Sequence, residues 1–291
     1  MSAVHVRLLR LFASPTYRPP VLPSVALEIM ELARQPSVTF EAVVGVLEHD
    51  PMLAAKVLSI AQSALYASRS PILSLKQAAV RLGLGTLRDL VLEAALKLRV
   101  FRVPGYDAAM ERLARHSTLV AYLARELCQR TAIEVEYAFV CGLLHDVGIA
   151  ACLLALSDEP RGGPIPYGTL GSVLREVHEG ASGLLARLWG LRPEIQLVVG
   201  THHHLEIGGK PHPVNAALIV AEGMAEEFES RILPPGSPEG EFDGNPAALF
   251  EAACLALGLE GERLEAARSG AAEVARALLV DAPPLAAAGS A

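Results

Sequence analysis

The segment AFVCGLLHDVGIAACLLAL, residues 138–156, most constrains how this chain can fold, because only one adjacent pair in it is neither apolar nor small. That pair is His145 and Asp146, and Gly148 follows it closely. A membrane-spanning helix needs about 18 or more uninterrupted apolar residues, and an ionised aspartate at the middle of a bilayer is costly. No cluster of Lys or Arg flanks the segment. We therefore predict core helices of a soluble protein rather than a membrane span.

Helix signals dominate the rest of the 291 residues, a length that suits one large or two modest domains. Asp50-Pro51 combines an N-cap residue with a proline of the first turn. Ser74 can cap LKQAAVRL, and Gly83 suits the left-handed residue that ends a helix. We predict an all-α protein, whose further helices cover 107–130, about 135 into the opening segment, 169–178, 180–190, 193–204 and 213–229, with two more after a Pro/Gly-rich linker over 234–246.

Cysteines and charge favour a cytoplasmic protein without nucleic acid. The N-terminal residues 1–20 lack an apolar region followed by a small-residue cleavage site, so no signal peptide is expected. Residues 1–102 carry 12 basic against 7 acidic side chains and the remainder 13 against 25, but the basic residues are scattered rather than clustered. Free, buried thiols in a reducing compartment are expected for the four cysteines, which form no CxxC pair: Cys128, Cys141, Cys152 and Cys254.

Five histidines on different predicted helices accompany Asp146. Imidazole nitrogens and carboxylate oxygens are ligands for Fe, Mn, Zn and Ni, and helical bundles build metal sites from inward-facing side chains. Neighbours on a helix point about 100° apart, so the members of an adjacent pair cannot share one face, but they can straddle a groove, with one member of each pair serving a separate ion. The histidines are His116, His145, His178, His202 and His203.

The order of these residues resembles the HD superfamily of metal-dependent phosphohydrolases, and matches that of the HD-GYP cyclic-dinucleotide phosphodiesterases. In the superfamily the late ligand is usually an aspartate, where NAALIVAEGMA offers Glu222. The resemblance implies that Asp146 bridges two divalent transition-metal ions. It places the other ligands in two shells, one of His116, His145 and Glu222 and the other of His178, His202 and His203.

The first hundred residues closely resemble the HDOD domain, a family of bacterial signalling and regulatory modules in which many members have lost the metal ligands. The resemblance rests on LPSVALEIMELA and on EHDPMLAAKVLSIAQSALYASRSPILSLKQAAVRLGLGTLRDLVLEAA, where Gln62 replaces the usual asparagine. It covers roughly residues 16–230. The implied organisation is an N-terminal extension (1–15), a helical half (16–103), an HD-like half (104–230), and a linker with C-terminal helices (231–291).

Departures from the enzymatic pattern leave two functions open. Ile149 stands where the HD-GYP pattern has a phosphate-binding lysine, and HHHLEIGGKPH, residues 202–212, replaces the GYP loop. Arg112 stands one turn before His116, where some HD-GYP enzymes have a further glutamate ligand, so no third metal is expected. We predict a signalling module that retains a dinuclear metal site and recognises a protein partner or a nucleotide-like ligand. The alternative is a phosphohydrolase that acts on a nucleotide or cyclic dinucleotide.

Overall fold

A computed structural model of the chain describes residues 2–32, 35, 37–66, 72–129, 131, 133, 135–157, 164–228, 232 and 245–279. Within these residues the structure is helical apart from turns and one hairpin, which confirms the all-α prediction. The α-helices are α1 (Ala3–Phe12), α2 (Ser24–Leu32), α3 (Phe40–Leu47), α4 (Pro51–Ala61), α5 (Leu75–Ala95), α6 (Asp107–Cys128), α7 (Val135–Leu144), α8 (Val147–Ser157), α9 (Gly171–Leu188), α10 (Pro193–Val199), α11 (Pro213–Glu227), α12 (Pro246–Ala256) and α13 (Glu262–Leu279).

Several helix boundaries follow from the local sequence signals. The Asp50 carboxylate accepts a hydrogen bond from the backbone N–H of Leu53 at 3.0 Å, and Pro51 begins α4. The Ser74 hydroxyl accepts a bond from the N–H of Gln77 at 3.1 Å at the start of α5. Gly83 has φ 83° and interrupts α5, a conformation that glycine adopts without steric cost. These three predictions are confirmed.

One compact unit consists chiefly of Val21–Phe101. Within it α5 packs against α2, α3 and α4, and a π-helical segment, Leu96–Val100, continues α5. The core is formed by fully buried aliphatic side chains, which the apolar spacing of these helices turns to one side: Ile29, Leu47, Leu53, Val57, Leu87 and Leu90.

The other compact unit consists chiefly of Met1–Pro20 and Arg102–Ala275. Its core pairs are α6 with α7 and α8 with α9, while α11 packs on α6 and α7, and α10 on α9 and α7. The predicted N-terminal extension forms α1, a helix that the sequence patterns did not predict, and α1 packs on α8 and α9. The helices predicted after the linker are α12 and α13, whereas the linker itself lies almost entirely outside the described residues.

The apolar segment over 138–156 is not one helix, which corrects the prediction of a helix that continues through His145 and Asp146. α7 ends at Leu144, His145 and Asp146 form a turn, and α8 begins at Val147. The predicted helix over 193–204 likewise ends at Val199, so His202 and His203 also lie in a turn. By composition Tyr137–Ser157 could cross a membrane, but 94% of its most apolar window is buried inside the fold, as expected for core helices.

Smaller differences concern α9 and a hairpin. The two helices predicted over 169–178 and 180–190 are one continuous helix, α9, which runs through the glycine at 180 without a break. A short antiparallel hairpin pairs β1 (Glu206–Ile207) with β2 (Lys210–Pro211), and two glycines with positive φ form its turn.

Candidate metal centre

Two glycines bring the helices around the His145-Asp146 turn unusually close. A Cβ atom on Gly142 would lie 2.8 Å from the Cα of Ala121 in α6. A Cβ atom on Gly148 would lie 2.1 Å from the carbonyl oxygen of His178 in α9. The N–H of Gly148 also donates to the Ser182 hydroxyl at 2.8 Å. Glycine at both positions therefore lets α6 and α9 carry their histidines up to the turn.

Backbone carbonyls orient three of the imidazole rings. The Nδ1 atoms of His145, His178 and His202 each lie 2.7–2.9 Å from a carbonyl oxygen of the preceding turn. An Nδ1–H donated to a carbonyl leaves Nε2 with its lone pair, which is the form that binds metals. The turn that ends α10 allows both His202 and His203 to point at the same place, which neighbouring positions of a helix could not do.

The Nε2 atoms converge on one another. The Nε2 atoms of His116 and His145 lie 3.3 Å apart. The Nε2 atom of His178 lies 3.2 Å from that of His202 and 3.0 Å from that of His203. Lone pairs at such distances repel one another unless a proton or a cation lies between them.

Asp146 lies between the two histidine groups and faces each with a different oxygen. Its Oδ2 atom lies 3.3 Å from His145 Nε2 and 3.8 Å from His116 Nε2. Its Oδ1 atom lies 3.3 Å from His178 Nε2 and 3.5 Å from His202 Nε2. Among the described residues, two groups of donors are each compact enough for one ion, and they share this carboxylate: His116, His145 and Asp146, and Asp146, His178, His202 and His203.

His202 and His203 fall in the same group, so this adjacent pair does not divide between the two groups of donors. Both residues lie in a turn, where the backbone does not impose the helical angle between neighbours. The groups otherwise follow the division of histidines that the family resemblance implies.

Glu222 lies at the border of the cluster, outside both compact groups. Its Oε1 atom lies 3.6 Å from His145 Nε2, and its Oε2 atom lies 3.4 Å from His203 Nδ1. Glu222 Oε1 and Asp146 Oδ1 are buried and have no hydrogen-bond partner within the described ranges. A buried carboxylate oxygen without a donor is costly, so the donor set fits a metal ion, and the cluster could hold one.

Charge interactions separate the pKa values of the cluster. Burial lowers the pKa of His145, but Asp146 and Glu222 outweigh it and raise this pKa to about 9. Burial raises the pKa of Asp146, but His145, His202 and His178 hold it well below its usual range. Burial raises the pKa of Glu222 to about 7. Such divergent titration is typical of functional sites.

Two polar residues that the sequence analysis missed hold the His202-His203 turn. The Glu179 carboxylate accepts a hydrogen bond from the N–H of His203 at 2.9 Å. The side-chain amide of Asn215, which is fully buried, donates to the carbonyl oxygens of Thr201 at 2.6 Å and His204 at 2.8 Å. A single polar residue in the otherwise apolar start of α11 was the available signal for Asn215.

Exposure differs across the cluster. The side chains of His145 and His202 have no exposed surface, whereas those of Glu222 and His203 are 18% and 19% exposed. Ile149 is buried on α8, and His204 points outward. The least buried part of the cluster therefore lies near Glu222 and His203.

The chain is similar in sequence to one protein family and to a bacterial relative. A family model described as HDOD domain matches residues 19–205. An uncharacterised protein of Treponema pallidum is 26% identical over 196 residues, which are 64% of this chain but only 38% of the relative. The chain thus corresponds to less than half of the length of that relative.

Two crystal structures share the fold over nearly the whole chain. A HDOD domain protein of unknown function from Geobacter sulfurreducens is 26% identical, with a TM-score of 0.65, over 98% of this chain and 99% of that one. A protein of Shewanella amazonensis, described as a candidate metal-dependent phosphohydrolase, is 18% identical, with a TM-score of 0.69, over 94% and 98%. At 18% identity the second likeness shows the fold alone.

Proposed function

Because the HDOD model matches well over half of its 291 residues, the chain belongs to the HDOD domain family, and we propose that it is a bacterial signalling module that retains a dinuclear metal centre. Its seven proposed ligands are those that the sequence predicts: His116, His145, Asp146, His178, His202, His203 and Glu222. We further propose that it works in the cytoplasm, which its four free, buried cysteines support.

The observation that carries the proposal is the position of Asp146. One carboxylate oxygen faces His145 and the other faces His178, each at 3.3 Å from the Nε2 atom. A carboxylate shared in this way would hold both ions of a two-metal centre, whose charge would act together on a bound ligand. Mixed nitrogen and oxygen ligands suit Mn, Fe, Zn and Ni alike, so the ion is proposed only as a divalent transition metal.

The second candidate function is a metal-dependent phosphohydrolase, and the least buried part of the cluster, near Glu222 and His203, favours it. A bound pair of ions would supply Lewis-acid charge and lower the pKa of a nearby water. This chain would contribute the bridging carboxylate and orient the rings through their Nδ1–H bonds. Against rapid catalysis stands Ile149, a buried aliphatic side chain three residues after Asp146 that cannot pair with phosphate.

A turnover assay separates the two functions. Protein loaded with Mn is incubated with cyclic dinucleotides and with nucleoside mono-, di- and triphosphates, beside an Asp146→Ala variant. Loss of one preorganised charge donor typically costs about 10²–10³ in rate, so the signalling proposal predicts turnover far below about 1 s⁻¹. Turnover of 1 s⁻¹ or faster that Asp146→Ala abolishes would make the phosphohydrolase the correct function.

A further inference from the structure

Arg112, which has no acidic partner within the part of the chain that the structure describes, stands one helical turn from the proposed ligand His116. Arg112 precedes His116 by four residues on α6, so both side chains lie on one face of the helix, one turn apart. The Nε atom of Arg112 is buried and has no hydrogen-bond partner among the residues that the structure describes. Its neighbour Arg115, by contrast, donates to Glu111 at 2.7 Å.

An aromatic ring holds the guanidinium of Arg112 near the cluster. The Cζ atom of Arg112 lies 5.5 Å from the centroid of the Tyr167 ring, within the range of a cation–π contact. The Tyr167 hydroxyl donates to the carbonyl of Ile232 at 2.9 Å, which fixes the ring. Burial raises the pKa of Tyr167, the charge of Arg112 opposes this shift and that of Asp146 adds to it. Arg112 and Asp146 therefore both lie close enough to act on one hydroxyl.

The chemistry of this position indicates an anion with several oxygens. A buried guanidinium N–H without an acceptor is costly. Arg112 cannot itself be a metal ligand, because the guanidinium stays charged and offers only hydrogen-bond donors. The planar guanidinium donates in parallel to two oxygens of one group, and phosphate offers oxygens beyond those two. We propose that Arg112 binds a phosphate group of the ligand on the His116 side of the centre. This inference rests on the proposed function, in which metal ions occupy the cluster.

Calorimetric titration with inorganic phosphate tests the inference on the Mn-loaded, full-length protein. Arg112→Gln should weaken phosphate binding about 10- to 100-fold, the range expected for one charge-assisted pair, without loss of metal. Arg112→Lys, which keeps the charge but lacks the planar fork, should show a smaller loss. Arg115→Gln is the matched control, since its partner is Glu111, and it should bind phosphate like the unmodified protein.

Metal content and melting temperature, measured for every variant, keep the two proposals apart. Metal-loaded protein that binds no phosphate, or folded Arg112→Gln that binds it with unchanged affinity, overturns the role of Arg112. If Arg112→Gln does not fold, unchanged affinity in Arg112→Lys and in Tyr167→Leu overturns it instead. If the unmodified protein holds no metal, the proposed function fails. Phosphate binding that still depends on Arg112 would then support the anion site alone, and its absence would overturn both.

Discussion

The metal-free protein should lose stability as the pH rises from 7 to 9, chiefly because of His145. Burial lowers the pKa of this imidazole, but Asp146 and Glu222 raise it to about 9, whereas an unfolded histidine titrates near ~6.5. A raised pKa contributes stability that is fully present below the unfolded value and is lost as the pH rises through the folded value. Burial also lowers the pKa of His202, but the Asp146 and Glu222 carboxylates raise it overall, which acts in the same direction.

The magnitude follows from the two titration curves of His145. Between pH 7 and 9 the folded imidazole changes from almost fully to about half protonated, while the unfolded imidazole changes from about a quarter protonated to almost fully deprotonated. Integration over this range gives a loss of about 2 kcal/mol from this one fully buried group. For a chain of this size that loss lowers the melting temperature by roughly 3–4 °C.

Urea denaturation in the presence of a chelator, at constant salt and at pH 7, 8 and 9, measures the effect. The matched variant is His145→Asn, which removes the titrating group and should lose about 2 kcal/mol less over the same range. Metal must displace the same proton, so the affinity for added Mn should instead rise by up to about 50-fold from pH 7 to 9. The reasoning is refuted if metal-free protein is as stable at pH 9 as at pH 7, or if His145→Asn declines equally.

Two further predictions concern the residues that shape the cluster. Asn215→Ala removes the hydrogen bonds to Thr201 and His204, so it should weaken metal binding about 10- to 100-fold in chelator competition; unchanged affinity would contradict its role. Gly148→Ala places a Cβ atom 2.1 Å from a backbone oxygen and should abolish folding or lower the free energy of unfolding by several kcal/mol. The control is Gly45→Ala, in open space on α3, which should raise the free energy of unfolding by up to about 1 kcal/mol. Equal melting temperatures of the two variants would contradict this account.

Residue type and order were enough to predict which side chains cluster around Asp146, but not how the backbone presents them. The apolar spacing of α6 and α9 and the caps at Asp50 and Ser74 depend on local interactions, which a sequence displays directly. The turns at 145–146 and 202–203 are set by contacts between helices distant in sequence, among them the close approach at Gly148. Periodicity therefore extended the helices through both turns.

The supporting residues were harder to predict for the same reason. Glu179 and Asn215 act through hydrogen bonds to the backbone of residues 11–24 positions away, and no local pattern encodes such a pairing. Nor did local spacing reveal that Arg112 meets Tyr167 across 55 positions of the chain. Helix α1 was missed although it has a local start signal, since the Ser2 hydroxyl accepts a hydrogen bond from the N–H of His5 at 3.1 Å.

Metal content per chain is the measurement that tests the central claim most directly. Elemental analysis is carried out on protein as purified and after loading with Mn, Fe, Zn or Ni followed by desalting. The proposed centre predicts about two ions per chain in the unmodified protein and in His204→Ala, whose ring points outward. It predicts a loss of metal in Asp146→Ala, because both groups of donors share that carboxylate. Unmodified protein that retains no metal under any of these conditions would contradict the claim.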